Sequence, residues 1–555
     1  MSDLIESEKK GPLPEVHLVE TRDTETRGNS QGETSSGPDN KNAYPELLAY
    51  SWPTWKKWVH LTVVFFVQIS MNYNASVVGN ALGLLEKRFE ITEFQARLQM
   101  FAFLVAYAFG CELWAPWSED FGRRWILTGS LLLVNIWAAM CGSATNFTTI
   151  MVGRVLGGLC SAGGSITLGI VADMFRPDEQ GYAVNFVVLA SVSGSVVGPV
   201  VGGYLEENVE WEWNFWSQVI FGVLVMAAFV ALPETRAKEI LNSKAKALRT
   251  DAAKEGRPCH IKGPRENVDI MSRRQILTGH PETWRHIFTI WLRPFKMFVT
   301  EPIVLFLSLL SGFSDALIFT FLNSYGVVFK EPYKLGPVQI GHGFLFLIVG
   351  YIIGYVAYIV DFWVKKRRSK RSGEPINPES RLFLLLFIAP FLPVGMFLFA
   401  WLSEPSIVSS PWPALSSTVL VGIANYAIYL ATVDYMVAAY GAFAASATGG
   451  NGFARDLLAG ISALYANPLY ENVGRPENTR NGSVILACIS IGVIIPIYAF
   501  YFKGEWIRGH SSMAEDFKKQ EAVREEQLTG SRRPTPIGSR RNSSTGEVDI
   551  AFGTA

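Results

Sequence analysis

The chain has 555 residues, of which 49% are hydrophobic and only 18% charged, with a mean hydropathy of +0.20. Soluble domains run nearer 25% charged, so a string of soluble domains is excluded, as are disorder over the whole length and a secreted disulfide scaffold. Lys plus Arg and Asp plus Glu each total 49, and this balance offers no global basic excess for nucleic acid.

Residues 1–50 are polar, without the apolar run of a signal peptide, and read as a disordered tail. Twelve apolar stretches follow, most near the length of about 20 residues that a helix needs to cross a bilayer. They fall at about 58–84, 96–116, 125–144, 148–173, 182–205, 214–232, 300–325, 338–363, 381–402, 413–434, 442–468 and 481–502. The fold expected is an all-α membrane protein of twelve transmembrane helices in two six-helix halves, 51–232 and 300–502. A polar linker, 233–299, joins them, and 503–555 forms a Ser/Arg-rich tail.

Basic residues set the orientation, because Lys and Arg stay on the cytoplasmic side. Lys365 to Arg371 reads KKRRSKR, Arg123 and Arg124 lie between spans 2 and 3, and the linker holds 14 Lys/Arg against 7 Asp/Glu. All three fall on one side, which places both termini in the cytoplasm. Lys87, Arg88 and Arg97 in the first outer loop run against this trend but are outnumbered. Asn481-Gly-Ser483 is a glycosylation sequon at the start of span 12, set too close to the bilayer to be a good acceptor.

An ionisable side chain in mid-membrane costs about 2.5–3.5 kcal/mol on insertion scales and so signals function. Glu112 in span 2, Arg154 in span 4, Asp315 in span 7, and Arg455 with Asp456 in span 11 are the cases. An arginine cannot release its proton at physiological pH, so Arg154 and Arg455 suit anion binding or the tuning of a neighbouring carboxylate. Glu112 and Asp315 can carry a proton. The competing reading is a static ion pair that orders the bundle. In span 4, Gly157, Gly158, Ser161 and Gly164 recur at spacings that let a neighbouring helix approach closely. Span 5 reads GSVVGPVVGGYL, where Pro199 kinks a helix framed by glycines.

At these residues the chain resembles the major facilitator superfamily, and within it the twelve-span drug:proton antiporters of fungi, over about residues 45–505. The loop APWSEDFGRR matches the family's gating motif: Glu119 falls on the acid, Gly122 on the turn glycine, and Arg123 and Arg124 on the basic pair, with Ala115 replacing a leading Gly. The resemblance implies that this acid engages the cytoplasmic end of span 11 and the basic residues a neighbouring charge. Arg154 with Gly158 resembles the motif linked to proton coupling. Gly194, Gly198, Pro199, Gly202 and Gly203 resemble the antiporter motif, ALPET (Pro233, Glu234, Thr235) closes span 6, and the mid-span Arg455 falls on a family position. Asn323 stands where relatives often carry a Glu tied to polycation recognition, and Glu112 where they carry a small or apolar residue.

These features imply a proton-coupled efflux transporter for small amphipathic molecules such as drugs, fungicides or secondary-metabolite toxins, and not an enzyme. Arg154, Glu112 and Asp315 would couple protons, while Phe319, Asn323, Tyr325, Tyr429 and Arg455 would line the substrate cavity. The alternatives are export of a polyamine or other cationic metabolite, nutrient uptake and, from another class, a non-transporting sensor. No P-loop and no metal-spaced His or Cys set appears in the sequence, so no cofactor is expected beyond the proton gradient. A monomer in the plasma membrane is expected, with the vacuolar membrane as the alternative location.

Overall fold

The computed structural model describes residues 48–176, 179–254, 281–372, 377–440, 444–474 and 478–509. The expected tails therefore lie almost wholly outside the described residues, as does the middle of the linker.

Twelve helical segments run back and forth: α1 Thr54–Phe89, α2 Glu93–Phe121, α3 Arg123–Gly142, α4 Phe147–Met174, α5 Gln180–Asn208, α6 Trp213–Val230, α7 Pro302–Lys330, α8 Pro337–Arg371, α9 Pro378–Leu402, α10 Trp412–Tyr440, α11 Ala444–Asn472 and α12 Thr479–Gly509. Among the described residues, eleven are long and apolar enough to cross a bilayer. The exception is α11, which carries Arg455, Asp456 and several glycines and is packed between α7 and α2, where it needs less apolar surface of its own. All-helical architecture follows from the solvent, since in lipid each backbone donor and acceptor must be satisfied within its own segment.

Helix ends and breaks obey the same accounting. Thr92 and Gln95 form a reciprocal capping box at the start of α2, and the Asn146 side chain accepts from Thr149 N–H at the start of α4. Two pieces, Phe147–Cys160 and Gly163–Met174, make up α4. The Ser130 hydroxyl of α3 repairs the break. It donates to Cys160 O (2.6 Å) and accepts from Ala162 N–H (3.0 Å). The linker, expected only as a polar segment, contributes two helices, Ala237–Lys254 and Pro281–Thr300.

Within the first half α1 packs on α5, α2 and α3 on α4, and α3 on α6; within the second, α7 packs on α11 and α8 on α10. The halves meet along two seams, α2 with α11 and α5 with α8. One end of the bundle bears the loop at 122–124, the linker and the 365–371 run; it is called the basic face here.

Close approach explains the glycines of α5. A Cβ on Gly194 would strike Asn72 and Ile69 of α1, one on Gly198 the side chain of Ser76, and one on Gly203 the carbonyl of Pro337 on α8 at 2.6 Å. Gly202 faces Asn80, and Gly341 of α8 sits over the carbonyl of Pro199. This motif is thus where α5 wedges between the two halves. A Gly198→Leu variant is expected to lose about 1–3 kcal/mol from overpacking. Thermal melting of the solubilised protein would show it, and an unchanged melt would contradict the packing role.

Candidate functional site

Two buried arginines mark the interior. Arg154 lies in the first piece of α4 and is 2% exposed. Its Nη1 donates to the carbonyl (2.9 Å) and the side-chain oxygen (3.2 Å) of Asn74 on α1, and its guanidinium lies 3.9 Å above the Phe103 ring. The Nε and Nη2 atoms make no hydrogen bond in the structure. A water-sized cavity of about 10 Å³ borders Arg154, Asn74, Phe103, Cys141 and Phe215. Among the described residues no carboxylate lies within 4 Å of this arginine. The expected neighbourhood of Arg154 with Glu112 and Asp315 is therefore not formed; aromatic and amide groups surround the charge instead.

The acids gather on Arg455. Its Nε lies 3.8 Å from Asp315 of α7, its Nη2 lies 3.5 Å from Asp456, and its guanidinium sits 4.2 Å above the ring of Tyr429 on α10. Three helices thus converge on one cation. Glu112 reaches the same region from α2: its carboxylate rests against Gly449 of α11, where an added Cβ would collide with it. Asp456 and Glu112 are close enough for their charges to act on each other. The cluster holds three carboxyl groups and one guanidinium, all 14% exposed or less. Sequence reading marks Asp456 beside Arg455 as a mid-membrane charge but does not place it among the proton-coupling residues. Tyr351 of α8 adds a fully buried hydroxyl without a hydrogen-bond partner near Asp315.

The expected cavity residues divide. Tyr429 carries Arg455 on its face and Phe319 is buried on α7. Asn323 donates to the Phe319 carbonyl at 2.7 Å and leaves its own carbonyl oxygen unbonded. Tyr325 belongs elsewhere. Its ring packs on Phe344 (4.5 Å), Phe321, Phe329 and Phe399, an aromatic core shared with α8 and α9, so bulk packing claims it.

At the basic face, Arg123 pairs with Asp173 of α4 at 3.2 Å and with Glu119 at 3.8 Å, while Arg236 reaches Asp173 at 3.2 Å and the Glu119 carbonyl at 3.2 Å. Arg123 thus sits between Asp173 and Glu119. Among the described residues, Glu119 pairs with Arg123 and not with α11. Glu234 does more than close α6: its carboxylate accepts the backbone N–H groups of Arg123 (3.0 Å), Arg124 (3.1 Å), Thr235 and Arg236 (both 2.9 Å). It caps the N-terminus of α3 from the loop that follows α6, where the helix dipole favours an anion. Arg124 also donates to the Val230 carbonyl. The second half repeats the layout, with Arg381 bonded to Asp434, Arg508 to Glu379, and Lys365 to Asp361 at 2.5 Å. Asp173 and Asp434 escape sequence reading because each lies at the margin of an apolar stretch, where acids are common. The Asn481 sequon proves to be built into α12, with Ser483 fully buried against Tyr470, so its serine is withdrawn from the surface.

Comparisons with known proteins agree with this geometry. The family model described as Major Facilitator Superfamily matches residues 64–463. The MFS-type transporter oryN of Aspergillus oryzae is 30% identical over 446 residues, covering 79% of this chain and 82% of that protein. The MFS-type transporter kojT of the same organism is 28% identical over 481 residues (85% and 80%), and the cercosporin MFS transporter CTB4 of Cercospora nicotianae 29% identical over 480 (86% and 88%). Among solved structures, the xylose transporter XylE from E. coli superposes with a TM-score of 0.54 at 14% identity, covering 80% of this chain and 98% of that one. The match over most of the membrane part, together with the paired six-helix halves, shows that the chain belongs to the Major Facilitator Superfamily and is a membrane transporter, not an enzyme.

Proposed function

We propose that this transporter exports small amphipathic molecules of the toxin or secondary-metabolite kind in exchange for protons. The observation that carries the reading is the excess of acid at Arg455. With every group ionised, Glu112, Asp315 and Asp456 outnumber the guanidinium by two charges in a medium that solvates none of them. A proton or a cationic substrate relieves that excess, and exchange of one for the other is antiport. Similarity to transporters named for cercosporin and for an ascochitine biosynthesis cluster supports the substrate class. The same excess favours a substrate with a basic nitrogen over a neutral or anionic one, which keeps a cationic metabolite as the second reading. The basic face is cytoplasmic in this proposal, both termini lie there, and a monomer sits in the plasma membrane. The proton gradient supplies the energy, and no cofactor enters.

Export driven by an imposed pH gradient in proteoliposomes is expected for the wild-type chain. Glu112→Gln and Asp315→Asn are each expected to lower gradient-driven flux at least tenfold and to flatten its pH dependence. Normal transport with an unchanged pH profile in both variants would sink the proton-coupling reading.

A further inference from the structure

We infer that Glu112 and Asp456 form a proton-sensitive latch across the α2–α11 seam, so that a proton bound to either one favours closure of the basic-face end. The inference rests on the proposed proton coupling and names where the coupling enters the conformational change.

The two acids belong to different halves of the molecule. Glu112 lies two and a half turns before the end of α2, on its basic-face side, and its carboxylate is pressed against Gly449 in the second turn of α11. Asp456 follows Gly449 by seven residues, which is two helical turns and therefore the same face of α11. It looks towards Tyr107 and Cys111 of α2. Between these positions the seam is sealed by aromatic contact. Phe109 of α2 meets Phe453 of α11 at 5.2 Å, and both meet Phe295 of the linker helix Pro281–Thr300, at 5.8 and 4.9 Å. In this arrangement the two carboxyl groups are buried on opposite sides of one seam, and the linker helix packs over its edge.

The charged and titratable groups around them, among the described residues, are Arg455 beside Asp456, Asp315 on the far side of that guanidinium, Tyr107 and Cys111 on α2, and Tyr429 on α10. Arg455 is the one cation, and Asp315 already claims part of it. Two carboxylates buried on this seam repel across a poorly screened gap, and one proton removes the repulsion. Rocking of the halves must part α2 from α11 at one end in each cycle, because the site between them is reached from alternate sides. Parting at the basic face separates Glu112 from Asp456 and admits water to both, so the reason for holding the proton disappears. Closure and proton binding therefore favour each other, and opening releases the proton to the basic-face side. With that side cytoplasmic, protons move inward, which is the direction an exporter needs. Coupling of this form requires only that the proton differ in affinity between the two states.

The test measures distance and requires no transport. Spin labels placed at the basic-face ends of α2 and α11, on a background with the native cysteines replaced, would report the seam in nanodiscs at pH 5.5 and pH 8. The expected result is a closed population that grows at least threefold on acidification. In Glu112→Gln and in Asp456→Asn, each carrying a neutral isostere, the seam is expected to stay closed at both pH values. A response that persists unchanged in Glu112→Gln and Asp456→Asn, or no response in the wild type, overturns the latch. Flux measured on the same preparations separates the two ideas: proton-driven export with a pH-insensitive seam leaves the proposed function standing and removes the latch alone.

Discussion

Replacing Arg455 with alanine is expected to destabilise the protein by about 3–5 kcal/mol, the range for leaving a buried charge without its partner. The guanidinium is the counter-charge to Asp315 at 3.8 Å and Asp456 at 3.5 Å, and it rests on the Tyr429 ring. Its loss leaves two carboxyl groups in the interior that must ionise unpaired or take up protons. A marked fall in melting temperature, read from tryptophan fluorescence of the purified protein, is the measurement. The cause is separable from lost packing. Asp315→Asn introduced on top of Arg455→Ala removes one stranded acid and is expected to recover part of the loss, so that the two effects are not additive. Arg154→Ala supplies the contrast. No carboxylate within 4 Å depends on Arg154, among the described residues, so its removal is expected to impair transport with a smaller loss of stability. Equal losses for the two arginines would show that the acids around Arg455 are not balanced by it.

The second large effect is expected at Gly122. This residue has φ +93° and ψ 149°, a conformation essentially confined to glycine, and a Cβ there would lie 2.6 Å from Glu234 Oε2. Gly122→Ala is expected to cost about 1–3 kcal/mol in backbone strain and to push away the carboxylate that caps α3. Glu234→Ala alone is expected to cost about 0.5–2 kcal/mol, the usual loss for a helix cap. Both substitutions break the same contact, so the double variant should fall short of the sum. Melting curves of the three variants decide it; full additivity would mean that the glycine and the glutamate act separately. Transport should fall with stability, since Arg123 and Arg124 start α3 directly beneath this cap.

Much of this architecture was legible in the sequence because lipid imposes one strong rule, a long apolar run for each crossing. The runs locate the helix starts to within four residues, α8, α10 and α12 extend six to eight residues past their expected ends, and the division into six and six survives. The rule works least well for α11. That helix is shielded by protein on most sides, so its composition is governed by packing and by the charges it carries. Candidate site residues were legible singly and not as pairs. Arg154 and Arg455 lie in spans 4 and 11, one in each half, and nothing in their local sequence says that Asp315 and Asp456 pair with the second. Convergence depends on how α2, α7 and α11 are rotated about their axes, and a nearly uniform apolar helix does not encode its rotation in a stripe. Tyr325 illustrates the same loss: an aromatic on an inner helix can face the central seam or the outer layer, and here it faces Phe399 of α9.

The break in α4 has a mechanical meaning. Arg154 lies in the piece Phe147–Cys160, and Asp173, which anchors the basic-face network, lies in Gly163–Met174. The two pieces share no continuous hydrogen-bond ladder at residues 161–162. There the Ser130 hydroxyl, borrowed from α3, bonds to both pieces, and Cys111 of α2 bonds to Ser161 and Ser165 beside it. Interior arginine and surface anchor are therefore mounted on separate levers. Displacement at the surface network can swing its own lever while the other keeps Arg154 seated on Asn74 and Phe103.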